Sequence, residues 1–387
     1  MRALVVLVTA VVLGLSVVYL TSNRDSGRGD SPAGAIDLSQ AFVEEGISGF
    51  ERAVTPRSWD FPEDHGPHED FASEWWYFTG NLKADDGRDF GYELTFFRVA
   101  VAPDMPQRAS DWATRQIYMA HLALTDVAAG EFHAFERFNR AALAMAGAQA
   151  QPLRVWLDDW ELKSLAPQGP AFPARLTARQ GDVAIELVLA SDKPPVLQGR
   201  EGLSVKGQTP GDASYYYSLT RMPTQGHITL GEEIIPVSGA SWMDREWGTS
   251  TLGEDRVGWD WFSVQLDDGR ELMFCQIRRR DGAPNPFDYG VLVDADGSYH
   301  ILEHDAVVVT VRDHWRSPHS GIRYPSGWTL ELPSESLQLR LEPAIADQEL
   351  NLAIRYWEGL VQVTGTDADG RVSGHGYVEL TGYGAAP

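Results

Sequence analysis

The chain has 387 residues, 43% of them apolar, which supports two domains of middling size or one large all-β unit and excludes a disordered chain. Its 55 acidic and 32 basic residues give a formal charge of −23, a surface that repels phosphate backbones and anionic headgroups, so nucleic-acid binding is excluded as a main role. The 13 Trp, 13 Tyr and 15 Phe lean toward strands and aromatic-lined cavities.

Ala3 to Leu20 form an apolar run broken by Thr9, Gly14 and Ser16 and preceded by Arg2. Residues 1–22 therefore read as a secretory signal or an uncleaved anchor, with no clear small-residue cleavage site to favour removal. No cysteine follows to carry a lipid. The body is expected to be exported to the periplasm, touching the inner membrane only through residues 1–22. A linker over 23–54 follows, flexible to Ala35, with a short helix expected over Ile36 to Arg52.

From Trp59 the chain changes character. A Pro- and Gly-rich loop, Phe61 to His68, enters the aromatic strand Ser73 to Leu82, and Asp85-Asp86-Gly87 turns it back as Phe90 to Val99. Further strands are expected at Ile117–Asp126, Arg154–Leu162, Ala174–Gln180, Val183–Ala190 and Tyr215–Met222, and the alanine-rich stretch Ala141 to Ala150 reads as a short helix. His227–Leu230 and Glu233–Val237 flank a glycine turn. They lead into Ser241-Trp242-Met243-Asp244-Arg245-Glu246-Trp247-Gly248, then Gly258-Trp259-Asp260-Trp261-Phe262, which set acids and an arginine among tryptophans. Strands at Trp259–Leu266, Glu271–Arg278, Tyr289–Val293, Val307–Arg312, Trp328–Leu332, Leu337–Glu342, Tyr356–Gly365 and Gly374–Leu380 complete the chain. Closely spaced short strands of this kind predict an all-β sandwich or barrel.

The sequence also echoes itself. Trp75-Trp76-Tyr77-Phe78 with the Asp85-Asp86-Gly87-Arg88 turn returns as Trp259-Asp260-Trp261-Phe262 with Asp267-Asp268-Gly269-Arg270. Two related β modules are expected, over 55–235 and 236–387.

The runs Phe61-Pro62-x-Asp64-His65-Gly66-x-His68, Glu74-Trp75-Trp76-Tyr77, Trp242 to Gly248, Gly258 to Phe262 and Tyr356-Trp357-Glu358-Gly359 resemble the AttH and carotenoid-hydratase (CrtC-like) family, over residues 55 to 383. The resemblance implies two tandem lipocalin-like barrels. Many members carry only the label of secreted hydrolase; better-understood ones hydrate carotenoid double bonds or cyclise polyenes, and distant ones carry lipids. Arg245 stands where the hydratases have a histidine, and an arginine cannot exchange protons near neutral pH, which argues against carotenoid hydration itself.

Strand alternation places Asp260 with Phe262, Val264 and Leu266, and Trp259 with Trp261 on the other face. If Asp260 lines a hollow barrel, burial keeps its proton for donation to an alkene; the plainer reading bonds it to a loop arginine. Glu74, on a face with Trp76 and Phe78, is the second candidate acid. Asp244-Arg245-Glu246 reads as an internal ion-pair cluster that orients the acid. His65 and His68 either cap the first barrel, with His65 bonded to Glu74, or less simply hold a metal at no standard spacing. Trp76, Tyr77, Tyr217, Trp247, Trp259, Trp261 and His65 are the candidate ligand wall, and His121 reads as a core histidine. Lone Cys275 reads as a small strand hydrophobe. No Gly-x-Ser-x-Gly elbow, Walker or Rossmann fingerprint or zinc-spaced Cys/His cluster is present, so neither a serine hydrolase, a cofactor nor a metal is expected. Two functions stay open: acid–base chemistry of hydratase or cyclase type on an isoprenoid, polyene or lipid, or a non-catalytic lipid carrier or envelope chaperone serving a membrane transporter.

Overall fold

A computed structural model describes residues 35–38, 48–105, 110–249 and 255–384. The expected signal or anchor at 1–22 lies outside the described residues, as does most of the linker before residue 48. Ile36 and Asp37 pair in parallel with Ile354 and Arg355, and residues 39–47 of the helix expected over Ile36 to Arg52 lie outside the described residues.

Two antiparallel sheets make up the body. The first holds β1 (Ser73–Ala84), β2 (Asp89–Ala100), β3 (Gln116–Asp126), β4 (Glu131–Arg140), β5 (Ala146–Gln149), β6 (Arg154–Leu157), β7 (Trp160–Ser164), β8 (Ala174–Gln180), β9 (Val183–Leu189), β10 (Ala213–Leu230) and β11 (Glu233–Gly248), in the spatial order β4-β3-β2-β1-β11-β10-β9-β8-β7-β6-β5. The second holds β12 (Arg256–Leu266), β13 (Glu271–Arg279), β14 (Tyr289–Val293), β15 (Tyr299–Leu302), β16 (Val308–Val311), β17 (Trp328–Leu332), β18 (Leu337–Pro343), β19 (Ile354–Asp367) and β20 (Gly370–Leu380), ordered β15-β14-β13-β12-β20-β19-β18-β17-β16. In each, a four-strand meander comes first and its opening strand closes against the last strand of the sheet. The repeat read from two hairpins thus extends to the whole topology.

The echoed turns are alike in detail. Gly87 and Gly269 take φ of +92° and +93°, a region open to glycine, and the backbone N–H of Arg88 and Arg270 donates to Asp86 and Asp268. Arg88 then reaches Glu233, and Arg270 reaches Asp367.

Each sheet curls as a lipocalin-like barrel around its own core. Trp76, Phe78, Phe96, Leu176, Met243 and Trp247 belong to the first, and Phe262, Phe274, Trp328, Leu339, Trp357 and Val378 to the second. Alternate residues on β1–β3, β11–β13 and β19–β20 point the other way and pack sheet on sheet. The approach is close at Gly91, where an added Cβ would lie 2.8 Å from the Leu360 Cβ. Fully buried Glu271 of the second sheet accepts from Lys193 beside the first sheet and from Arg221 and Thr220 of β10, the last at 3.1 Å. These ties fix the sheets face to face.

Three local expectations change. The module division at 235/236 falls inside β11, which pairs along its length with β10 and β1, so the sheets part only after Gly248. The alanine-rich stretch is no helix: Leu143 and Ala144 take positive φ, and Ala146–Gln149 then joins the sheet as β5. Arg154–Leu162 is two strands, β6 and β7, hinged at Asp158, which also has positive φ.

Candidate active site

Where the sheets face each other they leave a cleft of about 1100 Å³, counted with the space open to solvent. Trp75, Tyr77, Phe97, Tyr216, Asp244 and Glu246 line it from the first sheet. Trp259, Trp261, Cys275, Ile277, Tyr289 and Glu379 line it from the second, with Lys206 and Ser204 beside them. The register explains the grouping. Tyr216 lies opposite Glu246 and Glu246 opposite Trp75, while Ser218, Asp244 and Tyr77 form the next row. Across the cleft, Trp261 stands between Cys275 and Glu379, and Glu379 is opposite Glu358.

Asp244 is held by neutral donors alone. Tyr216 Oη and Ser218 Oγ each donate to it at 2.5 Å, and Trp242 Nε1 at 2.6 Å. Burial, opposed by these three donors and reinforced by Glu246, pushes it up to about 7. Trp261 Nε1 donates in turn to Tyr216 Oη at 3.2 Å, and the Trp261 ring meets Tyr77 edge-on at 5.2 Å. A phenol that opens on the cleft therefore has a carboxyl raised to about 7 behind it, an arrangement suited to proton transfer. Glu246, two residues on, is held by Lys206 and by Ser214 Oγ at 2.5 Å. Glu379 accepts from Trp259 Nε1 at 2.7 Å.

Several expected site residues lie elsewhere. Glu74 is not poised as a proton donor: burial alone would raise it, but Arg245 and Arg98 on either side hold it well below the usual carboxylate range. Alternation turns Arg245 away from Asp244 and Glu246, so the three form no cluster. Arg245 instead faces the first barrel, lies 3.9 Å over Trp76 and donates to the Gly66 carbonyl. Trp76, Tyr217, Trp247 and His65 are not cleft wall but fill that barrel's end, where His68 stacks on Trp247 at 3.6 Å. His65 caps it through Tyr217, at 2.6 Å, rather than through Glu74; the His68 backbone N–H is the one that reaches Glu74, at 3.0 Å. Burial, with Arg245 next, lowers His65 to about 4.

Asp260 follows the plainer reading in having an arginine partner, though that arginine, Arg278, lies on β13 and not in a loop. Asp260 points to the second barrel, where Arg278 Nε donates at 2.9 Å and Tyr383 Oη at 3.0 Å. Burial raises it and Arg278 opposes that rise. His121 bonds Tyr356 at 2.7 Å through Nδ1, and burial lowers it to about 3, so it is a core histidine with one unbonded nitrogen. Tyr77, Trp259, Trp261, Asp244 and Glu246 are the expected residues that meet at one site. Tyr216 and Glu379 are not among the expected site residues, yet alternation signals them: Tyr216 is in phase with Ser218, which bonds Asp244, and Glu379 shares its strand with Tyr377, which packs between the sheets.

Comparison with known proteins fits this architecture. A family model described as AttH-like matches residues 52–383. The crystal structure of an AttH-type protein from Nitrosomonas europaea is 34% identical, with a TM-score of 0.76, covering 86% of this chain and 100% of that one. Kievitone hydratase from Nectria haematococca shares the fold at 17% identity and a TM-score of 0.64, over 86% of this chain and 96% of that one. Among curated proteins, the kievitone hydratase of Fusarium solani subsp. phaseoli is 27% identical over 175 residues, 43% of this chain and 49% of its own length. The dehydratase asqC of Emericella nidulans is 22% identical over 218 residues, 53% of this chain and 60% of its own length. The chain thus spans about half to three fifths of the curated relatives it matches. With the family model covering nearly all of the two-barrel body, the chain belongs to the AttH-like family, within the wider group that includes carotenoid-hydratase-like proteins.

Proposed function

We propose that this protein adds water to, or removes it from, a hydrophobic substrate held in the cleft between its two sheets. Two named relatives, a hydratase and a dehydratase, support that reaction class. One observation carries it for this chain: Asp244, a buried carboxyl near 7, reaches an aromatic cleft through the Tyr216 hydroxyl. Hydration and dehydration are one reaction in two directions, and both move a proton at carbon beside a hydroxyl. A group poised near the working pH does this well in either direction. Indole and phenol walls at Trp75, Trp259, Trp261 and Tyr77 suit an isoprenoid or polyene portion and an adjoining positive charge. Asp260, Glu74 and Arg245 serve the framework.

The test uses full-length protein incubated with prenylated phenols, tertiary isoprenoid alcohols and polyenes, and scores gain or loss of one water by mass spectrometry. Asp244→Asn is expected to lower kcat by about 10²- to 10⁴-fold while the substrate still binds. Asp244→Asn at the wild-type rate would sink the reading. So would a wild-type protein that retains such ligands unchanged, the behaviour of a carrier.

A further inference from the structure

Behind Tyr77 lies a second group of acids that the Asp244–Tyr216 pair does not use. Tyr77 Oη is 2.8 Å from Glu358 Oε1 of the opposite sheet. Glu358 is fully buried and its Oε2 has no hydrogen-bond partner. Glu93, also fully buried, bonds Thr95 through Oε1 and likewise leaves Oε2 unbonded. Gly91 and Leu360, each two residues along the same faces, are in contact and bring these strands together. Two bare carboxylate oxygens in a dry layer are costly, and a proton between two carboxyls removes the cost.

We infer that Glu93 and Glu358 share a proton and that Tyr77, backed by this pair, is the acid of the cleft, opposite in role to Tyr216 backed by Asp244. The inference rests on the hydratase or dehydratase reading and gives that reaction its second proton-handling group. Tyr77 and Asp244 are register partners on adjacent strands, and Trp261 contacts both phenols, so one substrate can meet the two hydroxyls at once.

In the dehydration direction the substrate's C–H proton passes to the Tyr216 oxygen as the Tyr216 proton passes to Asp244. The C–H electron pair becomes the new C=C bond, and the C–O pair leaves with the oxygen. That oxygen takes the Tyr77 proton and departs as water, while Tyr77 is reprotonated from Glu358. Asp244 ends with one proton more and the Glu93–Glu358 pair with one fewer, and exchange with solvent resets them. Hydration is the reverse. Tyr77 touches the substrate and is catalytic; Glu358 acts through it and is a positioning residue.

The groups facing Glu358 are Tyr77 from β1, Glu93 from β2, Asp244 from β11, Glu379 and Tyr377 from β20 and Tyr356 from β19, none of them a cation. Burial, then Glu379 and Glu93, pushes the Glu358 carboxyl well up, and burial does the same to Glu93. The pair therefore titrates as a unit, above the usual carboxylate range.

Infrared difference spectroscopy of the substrate-free protein tests the pair directly. At alkaline pH, where Asp244 is ionised, a protonated-carboxyl band is expected to persist in wild type and to shift or weaken in both Glu358→Gln and Glu93→Gln. Its absence from wild type overturns the inference. In the water-transfer assay, Tyr77→Phe is expected to lower kcat by about 10²-fold or more with little change in KM. Glu358→Gln, isosteric and able to fold, is expected to lower kcat and to move the alkaline limb of the pH profile to lower pH. Tyr77→Phe at the wild-type kcat, or an unmoved limb in Glu358→Gln, also overturns it. If wild type turns over no substrate, the reaction reading fails by itself and the infrared band alone decides whether the pair holds a proton.

Discussion

Two carboxyl clusters sit on opposite faces of β11, one residue apart, and they differ in a single ingredient. On the barrel face, Glu74 has Arg245 on one side and Arg98 on the other, and the N–H of His68 besides. On the cleft face, Asp244 has only neutral donors, Tyr216, Ser218 and Trp242. Both are buried among aromatic rings, so burial is not what separates them. Two guanidinium groups keep a carboxylate ionised and fixed; neutral donors leave it able to take a proton. Aromatic surroundings mark neither cluster as the site, and the placement of cations does.

The largest effect that could break this contrast is the loss of about 10²- to 10⁴-fold in kcat expected of Asp244→Asn, with the fold intact. The barrel cluster should respond in the opposite way. Arg245→Met leaves Glu74 with one cation and frees the Gly66 carbonyl, and removing one partner of a buried ion pair typically costs about 3–5 kcal/mol. Urea unfolding should show a loss of that order, with Trp76 and Trp247 fluorescence reporting the loosened barrel end. A variant as stable as wild type would mean that Glu74 protonates easily once half its partners are gone.

How much of this was legible in the sequence follows from what alternation can and cannot say. It separates Asp260 from Trp259 and Trp261 correctly, and the repeated Asp-Asp-Gly-Arg turns reveal two like sheets. It does not say which face of a strand is hollow when both faces are apolar. Phe262 and Val264 lie on one side and Trp261 on the other, and only the packing of the second sheet shows that the tryptophan side borders the space. Nor can it foresee that Glu74 meets arginines 24 and 171 residues away. The triplet Asp244-Arg245-Glu246 misleads because sequence neighbours on a strand point apart.

pH sharpens the contrast through sign. Glu74 has a folded-state pKa below its unfolded value, so its stabilisation is present above about pH 4 and is lost as pH falls further. Asp244 is raised to about 7, so its contribution is full below about pH 4 and is lost as pH rises through about 7. The shift amounts to about 4 kcal/mol at most, at about 1.4 kcal/mol per unit. Glu136 and Asp288, raised by burial to about 6 and about 7, titrate in the same window. The informative quantity is therefore the difference between wild type and Asp244→Asn. That difference should change between about pH 4 and 7 and level off above, whereas Glu74→Gln should differ from wild type in slope only on the acid side.

Asp260 offers the smallest effect and the finest discrimination. It shares burial and a raised carboxyl with Asp244, so a rule based on those properties alone would make both catalytic. It has a cation, Arg278, and a tyrosine, Tyr383, whose ring Arg278 also covers at 3.7 Å. By the contrast drawn from β11 it belongs with Glu74. Asp260→Asn keeps the shape and one acceptor oxygen, so it should cost about 1.5–3 kcal/mol, the worth of a hydrogen bond to a charged group. It should leave kcat within about threefold, since no proton of the proposed reaction passes through it. A collapse in kcat at unchanged stability would move the chemistry to the second barrel's mouth and make Arg278, rather than the want of a cation, part of what tunes the acid.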